Sequence, residues 1–206
     1  VRYNRKENEY DKISLDSIGN NHSNLINSIV QGDNGLLWIG TGYGLFSYNY
    51  EMSEFNFYHN SESFHSLHAY TINELMIDSK GNLWIGGGDG SLYQYIPHND
   101  YFLEYDNKKN AGNIGISTIY EDHQGYIWIG YNGFGAAKFN AFSKEYVRHY
   151  LKEDDHVGLV SNIVRGIIEN NDHKIWLGTE KGLTILNEEK NTFTNITSSI
   201  ENSEGL

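Results

Sequence analysis

The 206-residue chain contains no cysteine, which removes disulfides, thiol nucleophiles and thiolate metal sites together. Cytosol and periplasm both accommodate that absence. It has a single proline, Pro97, and no run approaching the roughly 18 apolar residues that a membrane-spanning helix needs. No secretory leader opens the sequence, and its first residue is Val1 rather than methionine. Basic residues are few: the formal net charge is -12, and no Lys/Arg stripe exists to follow a phosphate backbone, so nucleic acid is excluded as a partner. The acidic residues are scattered, which fits a solvated surface better than an interaction tail.

Glycine and tyrosine are what the chain has instead, 22 and 16 of them, a composition of short strands and tight turns. All four tryptophans fall in one motif. It reads GLLWIGT at 35–41, GNLWIGG at 81–87, GYIWIGY at 125–131 and HKIWLGT at 173–179. The intervals between tryptophans are 46, 44 and 48 residues, a period that decides architecture before any local reading does.

Aligned on its tryptophan, each repeat divides into four apolar segments of four to six residues, too short for helices. The first segments are 25–30, 71–76, 115–120 and 163–168, followed by the tryptophan segment. The third are 45–48, 92–95, 136–139 and 183–186, and the fourth 55–58, 101–105, 146–150 and 193–196. The turns before the tryptophan, DSKG at 78–81 and DHQG at 122–125, place glycine at a left-handed position, as does GDNG at 32–35. In the fourth repeat His173 stands where glycine is expected, which predicts a strained turn.

Four antiparallel strands recurring with this period predict an all-β chain, a β-propeller of four-stranded blades. Blades stack face to face, so a second strand covered on both sides loses its polar alternation. Each tryptophan is then a wedge between blades, largely buried. The glycine two residues later lets the chain leave the strand without a side chain striking the next blade. The blades are expected at 23–66, 67–111, 112–157 and 158–200. Residues 1–22 carry the outer half of a preceding blade, and 201–206 lead into another. The expectation is an open arc of about four and a half blades of a larger ring, with uncovered apolar faces that favour self-association.

The pattern Ile-x-x-Asp-x-x-Gly-x-Leu-Trp-Ile-Gly-Thr followed by Gly-Leu-x-x-Tyr-Asn resembles the two-component regulator propeller repeat. It is carried by 29–49, 75–95, 119–140 and 162–187. The resemblance implies a periplasmic sensor: part of an ectodomain, anchored in the inner membrane, of a hybrid two-component system that regulates glycan-utilisation genes. It also implies a non-catalytic role here, an oligosaccharide ligand and the rest of the sensor propeller as partner. Kinase, regulator and membrane modules have no signature in this chain. Two other readings stay open. One is a propeller enzyme of the streptogramin-lyase type, which shares the Asp-x-x-Gly-x-x-Trp turn and uses a histidine with a divalent metal. The other is a protein-binding scaffold.

Propeller geometry places the loops joining second to third strands on one face, where the repeats differ in length and binding residues normally sit. Tyr43, Asp89, Tyr131, Asn132, Phe134, Glu180 and Lys181 lie there, mixing flat aromatic faces with hydrogen-bonding groups that suit a neutral oligosaccharide. Arg165 shares one first-strand register with Asn27, Asn73 and Ser117, and that row is expected to line the central channel. His65 and His68, with His59 nearby, match a metal pair by count but lie in a polar loop that does not hold their spacing, so no metal or other cofactor is assigned. GTGYG at 40–44 precedes no helix, so a phosphate-binding reading fails. No Ser, Asp and His constellation can be assembled.

Overall fold

The computed structural model describes residues 2–11, 25–32, 35–59, 66–107, 111–152 and 158–197. The described residues form eighteen strands, and the Ala111 N–H meets the Asn107 carbonyl at 2.9 Å. A two-stranded antiparallel hairpin of β1 (Arg2–Asn4) and β2 (Glu9–Asp11) comes first. Four antiparallel sheets follow, each with its strands in chain order. They are β3 (Ile26–Gln31) to β6 (Glu54–Tyr58), with β4 (Leu36–Thr41) and β5 (Gly44–Asn49) between; β7 (Ile72–Ile77), β8 (Leu83–Gly87), β9 (Leu92–Ile96) and β10 (Tyr101–Tyr105); β11 (Ile116–Glu121), β12 (Tyr126–Tyr131), β13 (Ala136–Asn140) and β14 (Glu145–Tyr150); and β15 (Val164–Glu169), β16 (Ile175–Thr179), β17 (Gly182–Asn187) and β18 (Thr192–Ile196). The expected lead-in at 201–206, and residues 12–22 behind the hairpin, lie outside the described residues.

Successive first strands are neighbours: β3 packs on β7, β7 on β11 and β11 on β15. These are the inner strands of stacked blades. The arc is open, and equivalent residues show it. Leu75, Ile119 and Ile167 share one register and are 3 %, 8 % and 4 % exposed, whereas Ile29, with no preceding blade described against it, is 55 % exposed. On the opposite side of the last blade Ile168 is 57 % exposed.

Three tryptophans are the wedges that the repeat predicts. Trp38 packs with Leu83 and Ile85 of the second blade, Trp84 with Ile127 and Phe139 of the third, and Trp128 with Ile175 and Leu186 of the fourth. Trp176 departs from the expectation: it is only half buried, because no described residue covers that side of the fourth blade.

The aspartate of the Asp-x-x-Gly-x-x-Trp turn has a specific task. In the turn before β8, Asp78 Oδ1 accepts the Lys80 and Asn82 N–H groups, and Oδ2 accepts the Trp84 indole N–H at 2.8 Å. Asp122 repeats this with Gln124, Tyr126 and Trp128. One carboxylate thus closes the hairpin and satisfies the buried indole. Burial opposes ionisation of Asp78, but the bonds from Trp84, Asn82 and Lys80 outweigh it and hold the carboxyl below its ordinary value. In the fourth blade this position is Asn170, whose Oδ1 accepts the turn's N–H groups from Asp172 and Lys174. A carboxamide nitrogen cannot accept, and the buried Trp176 Nε1 has no hydrogen-bond partner. In the same turn His173 does take the left-handed conformation, φ 58°, where Gly81 and Gly125 have 82° and 80°.

The glycine after the tryptophan does keep a side chain off the next blade, as expected, but not at a strand exit. Gly40 and Gly130 lie inside their strands rather than at an exit. What the missing side chain permits is close approach of the next blade. A Cβ on Gly40 would sit 2.7 Å from Ile72 Cγ2, and one on Gly86 2.6 Å from Ile116 Cγ2.

Candidate functional site

The second-to-third-strand loops share one face, and each is stitched to the entry of its own first strand. The bonds are Gly42 N–H to Leu25 O at 3.2 Å, Gly88 to Thr71 at 2.8 Å, Asn132 to Gly115 at 3.0 Å and Glu180 to Ile163 at 3.1 Å. The first and last loops are tight hairpins closed by threonine: Thr41 and Thr179 donate to the carbonyls of Gly44 and Gly182 and accept the N–H groups of Tyr43 and Lys181. Rigid loops present their side chains without a large ordering cost.

The expected binding residues divide into three groups. Tyr43, Asn132, Glu180 and Lys181 are exposed on this face. Asp89 is half buried and tied into its own loop, accepting the Ser91 N–H at 3.2 Å and the Tyr93 hydroxyl at 2.9 Å. Tyr131 is fully buried. It packs between the second and third blades, its hydroxyl accepts from Asn107 Nδ2 at 3.1 Å, and burial pushes its pKa up. A ring sealed in this way offers no surface to a sugar; Tyr131 belongs to the core. Phe134 is half buried, edge-on to Tyr131 at 5.8 Å and to His149 at 5.3 Å.

The polar register on the first strands is explained by a repeated irregularity. β3, β7, β11 and β15 each carry a bulge that leaves one residue out of register: Asn27, Asn73, Ser117 and Arg165. Three of these side chains turn to the following blade. Asn27 Nδ2 donates to Ile72 O at 2.9 Å, Asn73 Nδ2 to Ile116 O at 2.9 Å and Ser117 Oγ to Val164 O at 2.6 Å. These three side chains are clasps between neighbouring inner strands. Arg165 differs: it is exposed and turns back to donate from Nη1 to the Asn132 carboxamide oxygen. Of the exposed residues predicted for the site, Arg165 and Asn132 are a pair that the fold brings into contact from different blades. A guanidinium has five N–H donors and this bond uses one, which suits recognition of ligand oxygens.

On the other face, the strand 1–2 turns bring His123, Glu169 and His173 together, their donor atoms all within 4.8 Å of one another. The sequence marked His173 as irregular but could not join it to His123, fifty residues earlier, without the stacking of blades. His68, by contrast, lies 3.0 Å from Glu104, and its predicted companion His65 lies outside the described residues.

The two component regulator propeller family matches residues 22–43 and 111–133. A histidine kinase of Formosa agariphila is 30 % identical over 73 residues, 34 % of this chain and 5 % of that protein. The extracellular domain assigned to a hybrid two component system of B. thetaiotaomicron superposes with a TM-score of 0.72 at 21 % identity, over 87 % of this chain and 26 % of that one. PorZ, a surface component of the type-IX secretion system of Porphyromonas gingivalis, gives 0.60 at 18 % identity, over 86 % and 28 %. The chain therefore spans about a quarter of these solved structures, and at such identities they speak for the fold alone. The chain is a run of propeller blades in which two stretches, 22–43 and 111–133, are similar to the two component regulator propeller repeat.

Proposed function

We propose that this chain is part of the extracytoplasmic, periplasmic sensor propeller of a hybrid two-component system, that it is non-catalytic, and that the ligand is an oligosaccharide whose binding regulates glycan-utilisation genes. The matched repeat and the likeness to a histidine kinase and to an extracellular two-component domain support the sensor reading. The observation that carries the ligand reading is the contact of Arg165 with Asn132 across two blades, on the face that also exposes Tyr43, Glu180 and Lys181. A guanidinium and a carboxamide held together by a strand and a stitched loop present donors and an acceptor to hydroxyl-rich ligands, and Tyr43 on the same face offers a flat apolar surface. Apolar side chains such as Leu25, Ile29 and Ile168 stand exposed at the two ends of the arc, and they support self-association of this segment.

Calorimetric screening of oligosaccharides against the complete ectodomain tests the ligand reading. Arg165→Ala with Asn132→Ala should weaken a captured oligosaccharide by about tenfold or more, the loss of one or two hydrogen bonds to a charged group. The melting temperature should fall by no more than a few degrees, since both side chains are exposed. Unchanged affinity in the double variant sinks the assignment of this face. Light scattering of the 206-residue chain should show dimers or larger species, and a monomer at all concentrations refutes the self-association.

A further inference from the structure

We propose that His123, Glu169 and His173 form a binding site for a divalent transition-metal ion of the zinc class, bridging the third and fourth blades on the face opposite the candidate ligand loops. The three residues come from different parts of the repeat. His123 is the second residue of the β11–β12 turn, Glu169 ends β15, and His173 occupies the left-handed position of the β15–β16 turn. Stacking sets these turns side by side.

Part of the arrangement is generic to the stack. Between the second and third blades Glu121 Oε2 accepts the Ser79 N–H at 2.6 Å and its Oε1 accepts the Ser79 hydroxyl at 2.8 Å. One blade on, Glu169 Oε2 accepts the His123 N–H at 2.8 Å. A glutamate at the end of a first strand therefore clasps the preceding turn whether or not a metal binds. Two substitutions set the later clasp apart. An imidazole, His123, replaces the serine hydroxyl, and a second, His173, replaces the glycine of the sibling turns. These departures are independent in sequence, yet both direct Nδ1 at one atom. His123 Nδ1 contacts Glu169 Oε1, and His173 Nδ1 lies 3.0 Å from the same oxygen. The rings are tilted by 31° with centroids 3.8 Å apart, and both Nδ1 atoms face the same carboxylate oxygen.

This geometry is close to what a tetrahedral ion requires. Zinc bonds to nitrogen and oxygen of about 2.0–2.1 Å set ligand atoms about 3.3 Å apart, so small side-chain rotations open room for the ion. The carboxylate is 7 % exposed while the imidazoles are 41 % and 60 % exposed, so the anchor is fixed and the entrance faces water. Two imidazoles and one carboxylate leave a fourth position for water. They favour zinc, nickel or cobalt over magnesium or calcium, which prefer an all-oxygen shell. The ion's consequence would be mechanical: it would tie two blades through both of their turns.

Titration of the 206-residue chain with Zn2+ by calorimetry, and with Co2+ by visible absorption, tests the site. One equivalent should bind, with the intense Co2+ bands of a four-coordinate ion. Loss of an outer-shell partner of a metal ligand costs roughly 10–100-fold in affinity, so His123→Ala and His173→Gly should each weaken binding at least that much. His173→Gly restores the residue of the sibling turns and so keeps the fold, while His98→Ala, on an exposed turn elsewhere, should bind as the parent does. The proposal is overturned if the parent takes up no stoichiometric ion, or if the His123→Ala/His173→Gly double variant binds as tightly as the parent.

Discussion

Gly130→Val should destabilise the chain by about 3 kcal/mol, at the upper end of what overpacking a close-packed core costs. The residue lies in β12 with its α-carbon against the inner strand of the fourth blade. A Cβ there would come within 2.6 Å of Thr118 Cγ2 and 2.8 Å of Val164 Cγ1. Both neighbours are β-branched, with one stiff χ1 each, so neither can swing aside, and two further methyl groups would have to wedge the blades apart. Gly178→Val makes the matched control. It occupies the same repeat position in the fourth blade, but the nearest atom to its Cβ is the Gly166 carbonyl oxygen at 3.7 Å. In this chain the control should change stability by no more than about 0.5 kcal/mol. Urea unfolding followed by tryptophan fluorescence reads both. Equal losses at the two positions would mean that the glycine serves its own strand and not the packing of blade on blade.

Asp122→Ala should cost about 4 kcal/mol, the range seen when one partner of a buried charged network is removed. The carboxylate is buried, accepts the Trp128 indole N–H at 2.9 Å and two turn N–H groups, and lies 3.6 Å from the Lys138 ammonium. The indole and turn N–H groups lose their acceptor together, and Lys138 loses one counter-ion while keeping Glu188 at 2.6 Å. Asp122→Asn separates the contributions: its carboxamide oxygen can keep the turn, while its nitrogen cannot accept from the indole. That is the arrangement the fourth blade already has, with Asn170 closing the turn and Trp176 Nε1 left without a partner. Asn170→Asp should therefore stabilise the chain by about 1 kcal/mol, the usual worth of one added hydrogen bond. Thermal unfolding of the three variants checks the ordering; an Asn170→Asp chain less stable than its parent would break the account of the aspartate.

The candidate site was legible only where a single repeat contains it. The loop face, and the exposure of Tyr43, Asn132, Glu180 and Lys181, follow from strand order within one blade. Tyr131 misled because its loop-proximal position looks accessible along the chain, whereas the second and third blades close over it with Asn107 from the opposite side. The polar row of Asn27, Asn73 and Ser117 was visible as a register. Its purpose was not, since a bulge cannot be read from side-chain identity and its acceptor is a carbonyl more than forty residues away.

The sequence by itself determined the repeat, the all-β blade with its four strands, and the place of each tryptophan on a second strand, because local periodicity and turn chemistry act within a few residues. The left-handed conformation of His173 was determined in the same way, by the register of its turn. Only the tertiary structure decided which faces are covered. Trp84 and Trp128 are sealed and Trp176 is not, Gly130 is crowded and Gly178 is not, although the motif around each is nearly the same. It also decided that His123, Glu169 and His173 meet. Burial and convergence belong to the stacking of blades, and stacking joins residues a full repeat apart, a distance over which local sequence pattern carries no information about contact.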